Sequence, residues 1–308
     1  MRTGFCTGTG LFAALFFIAT GFSARAQSPQ LAATSNAPSV ADVFHEAETK
    51  YLFGFTDGAD IGNEGEKAIE YEGTGSFKKR GGRYSAFEHE LEFEHVLTQN
   101  FAYELSLHGL SHSVSDVEGL DDLQSTQFGG ASAKLRYLII GRGPGSPVGL
   151  TVSAEPEWAR IDGTDGTQTR SYSSTFKLVA DTELIANRLY AALNLIYEPE
   201  VAKGAGAETW EHSSSAGLSM GLAYRLTPTF ALGGGAEYDR AYDGLAFQTL
   251  NGHALFVGPT IQINFSQKVL LAAAFSAQVA GHAVDDPRAL DLTNFSQYRG
   301  NLKFEVEF

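Results

Sequence analysis

From about residue 67 to the end of the chain, apolar and polar residues alternate in runs separated by glycine-rich or polar breaks. The final run shows the pattern most cleanly. Leu302, Phe304, Val306 and Phe308 fall on one face, and Asn301, Lys303, Glu305 and Glu307 on the other. A period of two belongs to an extended strand, whose successive side chains point to opposite faces. Phe101, Tyr103, Leu105 and Leu107 align in the same way, as do Leu150, Val152, Ala154, Pro156 and Trp158, and Leu189, Ala191, Leu193, Leu195 and Tyr197. Read along its length, the alternation predicts strands near 67–78, 83–97, 100–113, 126–140, 148–161, 170–184, 187–200, 211–226, 229–242, 252–265, 268–281 and 298–308.

The joints between these runs alternate in length. Short ones fall at 97–100, 141–146, 184–187, 226–229 and 266–267, and longer ones at about 114–125, 162–169, 201–210, 243–251 and 282–297. Aromatic residues gather beside the short joints (Phe101, Tyr137, Tyr224, Phe230, Phe265, Phe308), and a second set (Trp158, Tyr172, Tyr197, Tyr238) lies towards the long ones. Two aromatic girdles, an apolar band between them, short turns on one side and longer loops on the other make up the pattern of a transmembrane β-barrel. A soluble β-sandwich also alternates, but its strands are usually only about five or six residues long. The expected fold is therefore all-β, a transmembrane antiparallel up-and-down barrel of about twelve strands over residues 66–308. An even strand count places both termini on the same side.

A closing strand that ends in phenylalanine, with apolar residues at every second position before it, resembles the terminal strand of bacterial outer-membrane β-barrels. That resemblance implies recognition of Phe308 as an assembly signal by the barrel-assembly machinery. The start of the chain agrees with it. Residues 1–26 carry Arg2, an apolar stretch from Leu11 to Ile18 and Ala24-Arg25-Ala26, which reads as a secretory signal peptide. Residues 27–65 read as a periplasmic N-terminal segment or plug, aperiodic to about residue 46 and then glycine- and acid-rich between Asp57 and Glu66. The acid spacing there loosely suggests a calcium loop, without the EF-hand pattern. The single cysteine, Cys6, lies inside the expected signal peptide, so the mature chain would have no thiol chemistry. The general features also resemble a group of uncharacterised proteobacterial barrel proteins, a resemblance that brings no substrate with it.

Charge enters on the inward face. Loss of the signal peptide leaves 20 basic against 36 acidic residues, a sign that disfavours nucleic-acid partners. By parity the lumen is lined by Glu70, Glu72, Glu88, Glu90, Glu92, Glu94 and Glu104, joined by Glu305 and Glu307 where the last strand closes on the first. The inward bases Lys134, Arg136, Lys177, Arg188 and Arg225 are expected on the opposite wall. Like charges directly opposite across strands are destabilising, so a ladder of glutamates requires water, cations or bases to compensate it. Either a hydrated pore or a dry salt-bridged filling meets that need, because a barrel of about twelve strands lies between the filled small barrels and the open large ones. Gly233, Gly235, Ala272 and Ala274 leave room on one wall and favour a passage. Glu155-Pro156-Glu157 and Glu198-Pro199-Glu200 are expected at strand rims, since proline cannot donate to a ladder; as functional groups, their four carboxylates near the mouth would gather cations or a divalent ion.

Chemistry beyond this is sparse. His212 and Ser214 are similar to the His-x-Ser pattern of outer-membrane phospholipase A and lipid A deacylase, which would imply His212 as base and Ser214 as nucleophile, but Ser215 stands where those enzymes have asparagine. His89, His95, His108 and His112 have no recognisable metal spacing, and no nucleotide or hydrolase motif is present, so no cofactor, metal or catalytic residue is assigned. The expected function is a passive, porin-like channel for small hydrophilic solutes with weak cation preference, in the outer membrane of a diderm bacterium with both termini periplasmic. Its partners would be the lipid bilayer and lipopolysaccharide, the assembly machinery and the solutes. The alternative is a non-conducting structural or surface-interaction barrel.

Overall fold

The computed structural model describes residues 48–143 and 145–308. The expected signal peptide and the lead to residue 47 lie outside the described residues. Twelve strands follow one another: β1 Lys67–Phe77, β2 Gly81–Thr98, β3 Phe101–Val117, β4 Leu123–Ile140, β5 Val148–Ile161, β6 Gln168–Ile185, β7 Leu189–Gly204, β8 Glu211–Thr227, β9 Phe230–Asp243, β10 Thr249–Asn264, β11 Val269–Ala283 and β12 Tyr298–Glu307. Each pairs antiparallel with its neighbours in sequence, and β12 closes on β1 to form a barrel without edges. In the closing seam Ile69 lies opposite Val306 and Tyr71 opposite Phe304, which keeps the apolar faces of the first and last strands in phase. A slip of one residue would turn every side chain to the wrong side.

Alternation sorts the faces as expected. Leu105, Leu107, Leu193, Leu195, Leu222, Val257 and Phe275 are exposed on the outside, while Glu104, Ser106, Tyr190, Asn194, Ala223 and Phe256 on the intervening positions are buried inside. An exposed apolar band of this extent has no favourable contact with water and is suited to lipid. The strands run past this band at the end away from the termini. β3 reaches Val117 and β4 begins at Leu123, so the joint expected at 114–125 shrinks to 118–122. The pairing continues through polar partners such as His112 with Ser125 and Ser113 with Gln124, where no apolar period marks it. The end bearing the C-terminus and the short turns is called proximal below, and the opposite end distal.

The two proline motifs correct the expectation of rim positions. Pro156 pairs with Ser174 and Pro199 with Ser214, both inside their strands. On its other side each proline stands at a gap. The β4–β5 pairing skips from Leu135–Ala154 to Ser132–Glu157, and the β6–β7 pairing from Phe176–Tyr197 to Ser173–Glu200. A proline has no N–H to give, and the ladder is interrupted on one side where it would have been required.

Candidate functional site: the lumen and its N-terminal occupant

Residues 48–66 run within the barrel, and their side chains meet inward positions of nearly every strand. Thr49, Lys50, Tyr51, Leu52, Phe53, Thr56, Ala59 and Ile61 are all buried. Small residues on the wall make the space. A Cβ on Gly221 would come within 2.6 Å of Phe53, and one on Gly54, which has φ +72°, within 2.7 Å of Ala274. Leu52 and Phe53 pack with Tyr190, Ala192, Ala223 and Ala231, while Tyr51 packs with Leu270 and Ala272. The room that Gly233, Gly235, Ala272 and Ala274 seemed to leave for a passage is thus largely filled: Gly235 and Ala274 line a void beside Phe53, and Ala272 meets Tyr51.

Polar contacts fix the rest of the segment. Asp181 accepts from the Thr49 hydroxyl and, at 3.0 Å, from the Ala59 N–H; Arg142 pairs with its other oxygen at 2.9 Å. Arg136 donates to the carbonyls of Gly58 (3.2 Å) and Asp60 (2.7 Å), and the Thr151 hydroxyl to that of Ala59. Lys177 binds Asp57 at 2.7 Å, and Asn194 bonds the Asp57 backbone on both sides, accepting from its N–H and donating to its carbonyl. The acid-rich stretch therefore contributes to a seat on the wall; of its acids, Glu66 stands in a carboxylate group with Glu48 and Glu307, both from outside the stretch.

The glutamate ladder is compensated by bases drawn from several directions. Register places Glu94 opposite Glu104, Glu70 opposite both Glu92 and Glu305, and Glu72 opposite Glu90. Lys50, carried in by the N-terminal segment, pairs with Glu94 and Glu104 and lies 4.0 Å from Glu92. Lys134 reaches Glu104 (2.6 Å), Glu92 (3.4 Å) and Glu155 (3.6 Å), and Arg136 reaches Glu104 at 3.5 Å. Lys303 pairs with Glu72 at 2.9 Å and lies 3.9 Å from Glu70. Acids and bases interleave at the waist, in place of the two opposed walls expected. Arg225 lines the proximal mouth, bonded to the Pro228 carbonyl, and Arg188 lies at the same rim against the carbonyls of Arg225 and Leu226. Glu307 lines that mouth too, whereas Glu88 and Glu90 lie distal to the waist, with His108 opposite Glu90.

Sequence reasoning missed Lys50, Lys303 and Arg299, which pairs with Glu237 and Asp239. The parity that assigned Glu305 also assigns Lys303 and Arg299, so that signal was present. Lys50 sits in a segment without a long period and had none.

The free space reflects this occupation. A cavity of about 740 Å³ lies at the proximal mouth, lined by Glu48, Glu66, Arg142, Arg225 and Glu307 among others. At the waist, among Lys50, Asp57, Glu104, Lys134 and Lys303, the void is about 30 Å³. That is room for a water or two and too small for a solute. On the barrel surface, the Ser214 hydroxyl is given to the Gly244 carbonyl at 2.7 Å, and no hydrogen bond among the described residues joins it to the exposed His212.

The profile of a family described as a family of unknown function (DUF6662) matches residues 45–308. No curated protein matches the chain. Among solved structures, an outer membrane channel from Pseudomonas putida F1 is similar over 85% of this chain and 100% of its own, with TM-score 0.50 and 13% identity. The β domain of the Bordetella autotransporter BrkA is similar over 80% of this chain and 100% of its own, with TM-score 0.50 and 10% identity. At these identities the likeness is one of fold, and the fold is that of outer-membrane β-barrels.

Proposed function

We propose that this chain, which belongs to the DUF6662 family, is a passive outer-membrane channel for small hydrophilic solutes that its own N-terminal segment keeps closed at the waist. The observation that carries the reading is the seat of residues 48–61. The segment is held by ion pairs and hydrogen bonds to a charged wall as well as by the packing of Tyr51, Leu52 and Phe53, and without it that wall would line a hydrated lumen. The Pseudomonas putida barrel of similar fold is a channel, which agrees with this reading. Both termini would face the periplasm and Phe308 would serve the assembly machinery. The net acidic lining gives a weak preference for cations, and no catalytic step is assigned.

A non-conducting barrel is the second reading, favoured by the apolar packing of Leu52 and Phe53 against Tyr190 and Ala192, a contact characteristic of permanent filling. Planar-bilayer recording separates the two. The full-length barrel is expected to be silent or to open briefly, and a variant lacking residues 48–61 to conduct steadily. A deletion variant that shows heat-modifiable migration, as a folded barrel does, yet never conducts would remove the channel reading.

A further inference from the structure

Distal to the waist, three strands bring together a group that takes no part in the closure. Glu88 on β2, His108 on β3 and Glu157 on β5 each offer one ligand atom, and these atoms lie within 4.8 Å of one another. Ligand atoms set tetrahedrally on one zinc ion, bound at about 2.0–2.2 Å, stand about 3.3–3.6 Å apart, so side-chain movements of about 1 Å close the set. His108 is only 5% exposed, yet its Nδ1 makes no hydrogen bond of acceptable geometry, although Glu88 Oε1 is 3.0 Å away. Glu88 itself keeps 42% of its side chain open to solvent, which leaves the group a way in.

The proton arrangement of the imidazole follows from its other side. His108 Nε2 is 3.1 Å from the Ser132 hydroxyl, and that hydroxyl donates to Glu155 Oε1 at 3.0 Å. Lys134 stands 3.6 Å from the second oxygen of Glu155. A serine has one hydroxyl proton. With that proton given to Glu155, Ser132 must accept from His108, so Nε2 carries the hydrogen. Nδ1, on the side of Glu88, is then either a free lone pair or the second N–H of an imidazolium. A metal-ligating histidine typically has its other nitrogen held by an outer partner in this manner.

We propose that Glu88, His108 and Glu157 bind a divalent transition-metal ion of the zinc class in the distal lumen, with Ser132 and Glu155 positioning the imidazole. An imidazole nitrogen beside two carboxylates favours such an ion over magnesium or calcium, whose sites are built from oxygen. The sequence marked Glu157 among the carboxylates that would gather a divalent ion, but not its partners Glu88 and His108, because the three ligands come from three strands with no local spacing. It does not depend on whether the waist opens.

Detergent-folded full-length protein, checked for heat-modifiable migration, is titrated with Co²⁺ by visible absorption and with Zn²⁺ by calorimetry. One saturable site is expected in the wild type and in the control His212→Ala. It should be lost in His108→Ala and weakened at least ~10-fold in Glu157→Gln. Ser132→Ala leaves the ligands in place and should weaken binding by about 10- to 100-fold, giving a second reading if His108→Ala does not fold. Absence of saturable binding in the folded wild type would mean that the group is only an imidazolium–carboxylate pair. Wild-type affinity in His108→Ala, or equal competition by Ca²⁺, would also overturn the assignment.

Discussion

The residue on which the waist turns is Lys50. Glu94 is buried, has Glu104 directly across the strand, and has Lys50 as its ion-pair partner. Glu104, with no exposed surface, is shared between Lys50, Lys134 and Arg136 and so keeps two cations if Lys50 is lost. Removing one partner of a buried pair leaves an uncompensated charge, which costs about 3–5 kcal/mol. Lys50→Met is therefore expected to lower barrel stability by about that amount in urea unfolding of the detergent-folded protein, and the double change Lys50→Met with Glu94→Gln should recover most of the loss. A loss below about 1 kcal/mol in the single variant would mean that water reaches and compensates Glu94 when Lys50 is absent.

At the scale of the element, the N-terminal segment fits because the wall is small where the segment is large. Phe53 lies against Gly221, where a Cβ would stand 2.6 Å from the Phe53 Cβ. Gly221→Val should force the segment off its seat while leaving the strand ladder intact, because Gly221 faces the lumen and its backbone pairs with Ala192 and Gly235 remain possible. Amide exchange should quicken across residues 48–61 and stay slow in β7–β9; uniform loss of protection would show that the segment and barrel unfold as one unit. The strands themselves were legible to within a few residues, because one face meets lipid and the other meets the lumen, and this enforces a period of two. Their distal extensions were not, since Ser113 and Gln124 pair by backbone alone and leave no apolar mark. The seat of residues 48–61 was hidden for a different reason. An irregular segment threaded through a lumen has no period, and its partners Asp181, Arg136 and Asn194 lie far from it in sequence. The inward ladder of glutamates could be read from parity, whereas which base meets which acid required the closed barrel.

At the scale of the whole molecule, the segment sets both the bore and the charge of the lumen. With it in place, Lys50 offsets the acids at the waist and the void there is about 30 Å³. Without it, Glu92 and Glu104 keep Lys134 and Arg136 as counter-charges on β4 while Glu94 loses its ion-pair partner, and Glu88, Glu157, Glu198 and Glu200 add acids on the inward positions of β2, β5 and β7. The barrel lacking residues 48–61 should therefore select cations, and the reversal potential in a fixed salt ratio should depend on absolute concentration. The screening length falls from about 10 Å at 0.1 M to about 3 Å at 1 M, so acids on a lumen wall hold most of the cross-section at the lower salt and only a layer near the wall at the higher. Cation preference that is clear at 0.1 M and nearly gone at 1 M is the expected result, and replacing Glu92 and Glu94 by glutamine should reduce it at 0.1 M without abolishing conductance. Preference that is the same at both concentrations would place selectivity in a tight coordination step, and anion preference would mean that Lys134, Arg136 and Lys177 dominate the path once Lys50 and Asp57 have left it.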